Sequence, residues 1–234
     1  MEALNRFGSG ILDMLFPRKC PFCQKLLEKE EYLICTSCQK ELPWLEGEEA
    51  NRKVDFVHAC WSPLRYQGRV PEGVKRFKFG RVRACTEPFG LLMAQCAEDH
   101  CKVKIDVITW APLSSKRLKE RGFDQAERLA LEVGKRLELP VVRCLDKVRN
   151  TRTQSGLSNE AQRRANALGA YALRHNVRLE GMKVLLIDDV VTSGATLSEC
   201  ARLMGMEGAD VYCLTLAQAH GDRGGGKAVS EGGK

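Results

Sequence analysis

Two clusters in this sequence have residue types and spacings suited to chemistry. The first is Cys20-Pro-Phe-Cys23 followed, after Gln24 to Ile34, by Cys35-Thr-Ser-Cys38. Each C-x2-C pair suits a tight knuckle whose thiolates face one Zn²⁺, and two knuckles close a tetrahedral site of four sulfurs. A closed site has no open position for water, so this zinc is expected to be structural. The segment holds too few apolar residues for a core of its own, so metal coordination is expected to supply its folding energy.

The second cluster is VLLIDDVVTSGAT, Val184 to Thr196. Val184 to Ile187 shows no polar alternation, as expected of a strand buried on both faces, and Asp188 and Asp189 fall where that strand is predicted to end. In open α/β sheets ligands sit at the carboxyl ends of strands, which places both acids at a site mouth. Thr192, Ser193, Gly194, Ala195 and Thr196 then form a turn into a helix starting near Thr196. Such a turn offers backbone N–H groups, hydroxyls and a helix N-terminus to one phosphate, and Gly194 allows close backbone approach. A ribose 5-phosphate group fits this pattern, with the phosphate in the turn and the 2′- and 3′-hydroxyls accepted by Asp188 and Asp189. The whole run DDVVTSGAT, Val190 and Val191 included, resembles the signature with which type I phosphoribosyltransferases bind phosphoribosyl pyrophosphate (PRPP). An ordinary strand-turn-helix accounts for one or two of these features but not for the run. Neither G-x4-G-K-[ST] nor G-x-G-x-x-G after a strand occurs.

These residues need elements to hold them. From Val54 to Ala217 short apolar runs alternate with longer helical ones, the pattern of a parallel sheet covered by helices. Strands are predicted at Val103–Thr109, Val141–Leu145, Val184–Asp188 and Val211–Leu216. Helices are predicted at Glu127–Leu137, with Leu129, Val133 and Leu137 on one face, and at Thr196–Met206. The fold class is therefore α/β, a type I phosphoribosyltransferase-like parallel sheet with flanking helices, preceded by the small four-cysteine zinc ribbon. The expected organisation is an N-terminal helix and zinc ribbon over 1–48, the main domain over 49–218 and a disordered tail over 219–234, with Gly47, Glu48 and Glu49 as the linker. After the strand ending at Thr109, Ser114 or Ser115 is a candidate donor to a pyrophosphate, with Lys116, Arg117 and Arg121 as its cationic partners. Taken alone, such a basic run is a solvated helix face.

The chain also resembles the ComF family, whose competence-associated members join a four-cysteine zinc ribbon to a phosphoribosyltransferase domain. Arg121-Gly-Phe-Asp-Gln-Ala126 is similar to that family's R-G-F-N-Q-A motif, with Asp124 where asparagine is usual, which is expected to weaken any amide-donor role there. Gln154-Ser-Gly-Leu157 and Arg163-x-x-Asn166-x-x-Gly169-Ala-Tyr171 resemble its Q-x2-L and R-x2-N-x2-G-A-F stretches. Tyr66-x-Gly68 and Lys78-Phe79-Gly80 fit a segment that contributes to the cap over the site. The resemblance implies Mg²⁺-dependent displacement of pyrophosphate from C1 of PRPP by an unidentified nitrogen acceptor, with Asp188 and Asp189 stabilising positive charge on the ribose. It also implies a role in DNA uptake and natural transformation. The alternative is a binding protein without turnover that senses PRPP or handles single-stranded DNA, and a third reading has the zinc module docking a helicase-like partner.

Composition adds bounds. At 234 residues and 44% hydrophobic content the chain can bury a full core, and its net charge of +7 suits anionic partners without choosing among them. No apolar run is long enough to cross a bilayer and no secretion signal is present, so the reading is cytoplasmic. The apolar residues of the first fifteen fall at helical spacing, which predicts a short docked helix. Eleven cysteines in a reducing compartment argue for metal binding or burial rather than disulfides. Those outside the two pairs are read as buried small hydrophobes, and His58 is not read as a ligand. Arg149 to Asn166 has the composition of a loop able to close over a polyanion or of an ordinary surface loop. Lys75, Arg76 and Lys78 beside Phe77 and Phe79 read as solvated lysines on a helix that buries its phenylalanines, or as a stacking patch for a single strand.

Overall fold

The computed structural model describes residues 17–80, 82–149 and 160–219. The expected N-terminal helix, the tail beyond Ala219 and most of the loop reading at 150–159 lie outside the described residues. The first knuckle, at Cys20 and Cys23, turns through Gln24 at φ 68°, with its N–H on the Cys20 carbonyl at 2.9 Å. The second leads into α1 (Thr36–Glu41). Glu31 joins the two: its carboxylate accepts from the Thr36 N–H at 2.6 Å, the Thr36 hydroxyl at 2.8 Å and the Glu28 N–H at 3.0 Å. The backbone bonds from Thr36 and Glu28 hold its pKa down at about 2.

Gly47–Ala50, expected to be a linker, is a 3₁₀ turn fixed to the sheet. Ala50 is buried, Gln218 donates to the Glu49 carbonyl at 2.6 Å, and Arg65 pairs with the Glu49 carboxylate at 2.7 Å. Two short strands follow, β1 (Cys60–Trp61) and β2 (Leu64–Arg65), then helices α2 (Val70–Phe79) and α3 (Val82–His100). The rest of the fold is β3 (Val107–Trp110), α4 (Ser115–Arg121), α5 (Gln125–Leu137), β4 (Leu145–Lys147), α6 (Glu160–Ala167), β5 (Tyr171–Leu173), β6 (Lys183–Val191), α7 (Ala195–Met206) and β7 (Asp210–Gln218). The main sheet runs β1-β7-β6-β3, all pairs parallel, with β2 also paired to β7.

Three strand predictions shift and one fails. Pairing with each other extends β6 through Val191 and β7 through Gln218, where β7 is also paired to β2. Because β6 continues, Asp188 and Asp189 lie within it rather than at its end. The predicted strand Val141–Leu145 does not join the sheet as a unit. Val141 makes one parallel bridge to Ile108, and Leu145 starts β4, which pairs antiparallel with β5 in a separate ribbon. An apolar run signals burial but does not name the partner strand.

Alternate residues of β6 feed two cores. Leu185 and Ile187 pack with Leu129, Ala130 and Val133 of α5, while Val184 and Leu186 pack with Leu197, Ala201 and Met204 of α7. The zinc ribbon shares the first core. Phe22, inside the first knuckle, is buried with its ring 5.3 Å from that of Phe89 in α3. The metal is thus not this segment's single source of folding energy, since its apolar residues complete a core supplied by α2 and α3. Cys60, Cys85, Cys96, Cys144, Cys200 and Cys213 are buried and Cys101 partly so.

Candidate functional site

The four thiols expected to bind zinc converge. The Sγ atoms of Cys20, Cys23, Cys35 and Cys38 all lie within 4.8 Å of one another. Tetrahedral Zn–S bonds of about 2.3 Å set sulfurs about 3.8 Å apart, so the donor set fits zinc in kind and in spacing. Burial raises the Cys35 and Cys38 thiols above their ordinary range, so ligation has to displace protons. Arg69 stands outside the sulfurs, donating to Cys38 Sγ at 3.5 Å and pairing with Glu41 at 3.2 Å.

A cavity of about 420 Å³ opens beyond the carboxyl ends of β3 and β6. Asp188, Asp189, Val190, Thr192 and Thr196 line it, as do Arg117 and Arg121. Gly194 has φ +79°, and an added Cβ there would lie 3.3 Å from the Val54 side chain, so the turn before α7 needs glycine for its backbone and its clearance. Val191 and Ala195 are buried beneath the turn and Ser193 is half-buried. Two expected residues are used differently. Ser114 is buried and caps α4, its hydroxyl accepting from the Arg117 N–H at 3.5 Å, and Lys116 is exposed and not among the lining residues. Helical geometry explains the split, because Arg117 and Arg121, four apart, share a face that Lys116 does not.

Three further elements bring cations; Lys78 was expected in the cap segment and Arg163 in a family motif, neither with a named role, and Lys147 was not singled out. Lys78, at the end of α2, pairs with Asp189 at 2.7 Å. Lys147 of β4 donates to the Tyr171 hydroxyl at 2.9 Å, and that hydroxyl is also bonded to Thr196. Arg163 enters from α6, half-buried. With Arg117 and Arg121 they set five cationic side chains against the carboxylates of Asp124, Asp188 and Asp189. The predicted cap residues Tyr66 and Phe79 also line the cavity, and the Arg121 guanidinium lies 5.4 Å from the centre of the Phe79 ring. Lys78 belongs to the expected cap segment, but the period of α2 by itself makes it look like any solvated lysine. Lys147 was invisible because its position depends on the β4–β5 pairing.

Asp188 is strongly perturbed. Burial first, then the charge of Asp189, pushes Asp188 from 3.8 to about 7. Burial pulls the Lys78 ammonium down, but Asp189 and Asp188 outweigh it, and its pKa ends above the ordinary value. Burial and the neighbouring Arg117 lower Lys147. Asp124, where the ComF pattern has asparagine, acts through its acceptors. It takes the Leu113 N–H at 2.7 Å, the Ala126 N–H at 3.1 Å and the Glu127 N–H at 3.4 Å, so it caps α5 and ties down the loop after β3. Those three bonds call on no amide donor.

His58 lies outside this site, paired with Asp210 at 3.1 Å and stacked on Tyr212. Among the described residues, no helix is long and apolar enough to cross a membrane.

Comparison with known proteins agrees with both regions. A family described as a double zinc ribbon domain matches residues 11–52, and one described as a phosphoribosyl transferase domain matches residues 118–231. The chain is 33% identical over 206 residues to the DNA utilization protein YhgH of Escherichia coli (strain K12), covering 83% of this chain and 82% of that one. It is 27% identical over 226 residues to competence protein F of Haemophilus influenzae, covering 86% and 98%. It is also 27% identical over 205 residues to competence protein ComFC of Bacillus subtilis (strain 168), covering 86% and 78%.

Proposed function

The chain belongs to the ComF family, with a phosphoribosyltransferase-type α/β domain behind a four-cysteine zinc ribbon, and from that premise we propose that it binds PRPP and transfers its ribose 5-phosphate to a nitrogen acceptor in the service of DNA uptake. The observation that carries this reading is the meeting of Asp188, Asp189, Thr192 and Thr196 with five cationic side chains on one cavity. In this reading the turn from Thr192 to Thr196 takes the 5-phosphate on its N–H groups and hydroxyls. Asp188 and Asp189 accept the ribose hydroxyls, and Arg117, Arg121 and Lys147 face the pyrophosphate.

The reaction forms a nitrogen–C1 bond as the C1–oxygen bond to pyrophosphate breaks, the electron pair leaving with pyrophosphate. Positive charge develops on the ribose ring, and fixed carboxylates in a partly dry cavity favour that charge over the neutral sugar. Mg²⁺, when bound, would neutralise negative charge on the leaving pyrophosphate, held chiefly by oxygens of PRPP itself rather than by this chain's residues. The names of the relatives, with their reference to competence and DNA utilization, support the association with DNA uptake.

Calorimetry of PRPP with the zinc-loaded chain, with and without Mg²⁺, tests the reading against the double variant Asp188→Ala/Asp189→Ala. Micromolar binding that requires both the acids and Mg²⁺ is expected. Equal affinity in the double variant, with its fold intact, overturns it.

A further inference from the structure

Helix α2 stands between the zinc knuckles and the cavity and touches both. Its knuckle-facing side is built from Arg69, Gly73 and Arg76, spaced four and three apart, as one helix face requires. Arg69 donates to Cys38 Sγ. Arg76 Nη1 donates to the carbonyls of Pro21 at 3.1 Å and Phe22 at 2.7 Å, the two residues between Cys20 and Cys23. At Gly73 a Cβ would lie 2.9 Å from the Phe22 ring, so glycine allows the knuckle to sit directly on the helix. Lys78 is two residues past Arg76, about 200° around the axis, and so points to the opposite side. There it meets Asp189 at 2.7 Å. Between the two sides Phe77 is fully buried, its ring 5.6 Å from that of Phe89 and 6.2 Å from that of Phe123.

We propose that the zinc knuckle clamps α2 through Arg76 so that Lys78 is held at the mouth of the cavity as a contact for the pyrophosphate of PRPP, which makes the ribbon part of the binding site's wall; this rests on the PRPP reading above. Lys78 has three N–H donors. One or two can stay on Asp189 while another turns to a phosphate oxygen, so the same ammonium keeps the adjacent acids tolerable and draws the anion in. Arg76 touches neither acid nor ligand in this arrangement. It is a positioning residue that acts through Lys78, and its two carbonyl acceptors exist only while the knuckle keeps its turn.

The test uses the full zinc-loaded chain and the variants Arg76→Met, Lys78→Met and the double. Zinc content is measured for each by elemental analysis, PRPP affinity by calorimetry with Mg²⁺, and amide exchange across α2 without ligand. Lys78→Met is expected to weaken PRPP about tenfold, the loss of one charge-assisted bond. Arg76→Met is expected to keep its zinc, to speed exchange at Phe77 to Phe79 while Gln125 to Leu137 of α5 stays as in the parent, and to weaken PRPP by a similar factor. The double variant should bind no more weakly than Lys78→Met alone, a non-additivity that a general loss of stability does not produce. If the Arg76 and Lys78 losses multiply, or if zinc-loaded Arg76→Met matches the parent in exchange and affinity, the clamp is wrong. If Lys78→Met binds PRPP like the parent, Lys78 is not a contact. A parent that binds no PRPP removes the functional reading and the Lys78 contact together, and the exchange arm then decides the clamp by itself.

Discussion

The four-cysteine cluster and the charged cavity are assembled in opposite ways. The four thiols come from one stretch of chain, Cys20 to Cys38, and the spacing of two identical pairs states both ligand and geometry. The cavity gathers single side chains from the end of α2, the α4 face, the loop after β3, β4, α6, β5 and the end of β6. A local site tolerates change in everything but its ligands and their turn. A distributed site depends on every element that carries a lining residue. Yet the two are not independent, because Phe22 and Arg76 place the local site against an element that serves the distributed one.

The largest expected effect would break the comparison at its local end. Cys38→Ser should release the metal and unfold the knuckles, and because Phe22 lies in the shared core the thermal midpoint of the whole chain should fall. A midpoint unchanged by scanning calorimetry would show the ribbon to be energetically separate. Phe22→Ala isolates the packing from the ligands, with an expected loss of about 3–5 kcal/mol by denaturant titration and zinc retained. Within the cavity, Arg117→Ala should weaken PRPP by roughly ten- to a hundredfold, whereas Lys116→Ala, on the exposed side of α4, should change it by less than about threefold.

A subtler pair of measurements concerns Asp188. Its folded pKa of about 7 exceeds its ordinary 3.8, so between roughly pH 4 and 7 the folded chain holds a proton that the unfolded chain has released. Its effect is therefore a loss of stability as pH rises through that window. Asp188→Asn, whose side-chain oxygen can still accept the Asp189 N–H, should raise the melting temperature at pH 8 and leave it unchanged near pH 3.5. A carboxyl titration followed by carbon NMR should move the Asp188 midpoint down in Asp189→Asn, which removes a like charge, and up in Lys78→Met, which removes an opposite one.

What the sequence made legible follows the same division. Both C-x2-C pairs, the acids, the hydroxyl turn and the helix at Ala195 could be read because neighbouring residues build them. Arg117 and Arg121 were legible as a basic helix face. Lys78 and Arg163 were legible only as members of family motifs, without a role, and Lys147 not at all, since nothing in their own segments distinguishes a cation facing a cavity from one facing water. The predicted strand at Val141 failed for a related reason, its apolar run being divided between one bridge to β3 and a separate ribbon with β5. At Asp124 the sequence drew attention to a lost amide donor, whereas the bonds it makes are ones it accepts, which a carboxylate does as well as an amide.

The pairing of β1 with β7 sets an order of events during synthesis. Cys60 lies opposite Cys213, and Leu64 opposite Ala217, so β1 and β2 wait for a strand about 150 residues further along. Contacts so far apart in sequence form late and leave apolar edges open while the ribosome is still at work. All four zinc ligands lie within Cys20 to Cys38, and α2 and α3, which complete the ribbon's core, follow β1 and β2 but come well before β7. On the growing chain the ribbon, α2 and α3 can therefore close on one another before β7 is made and the sheet completed.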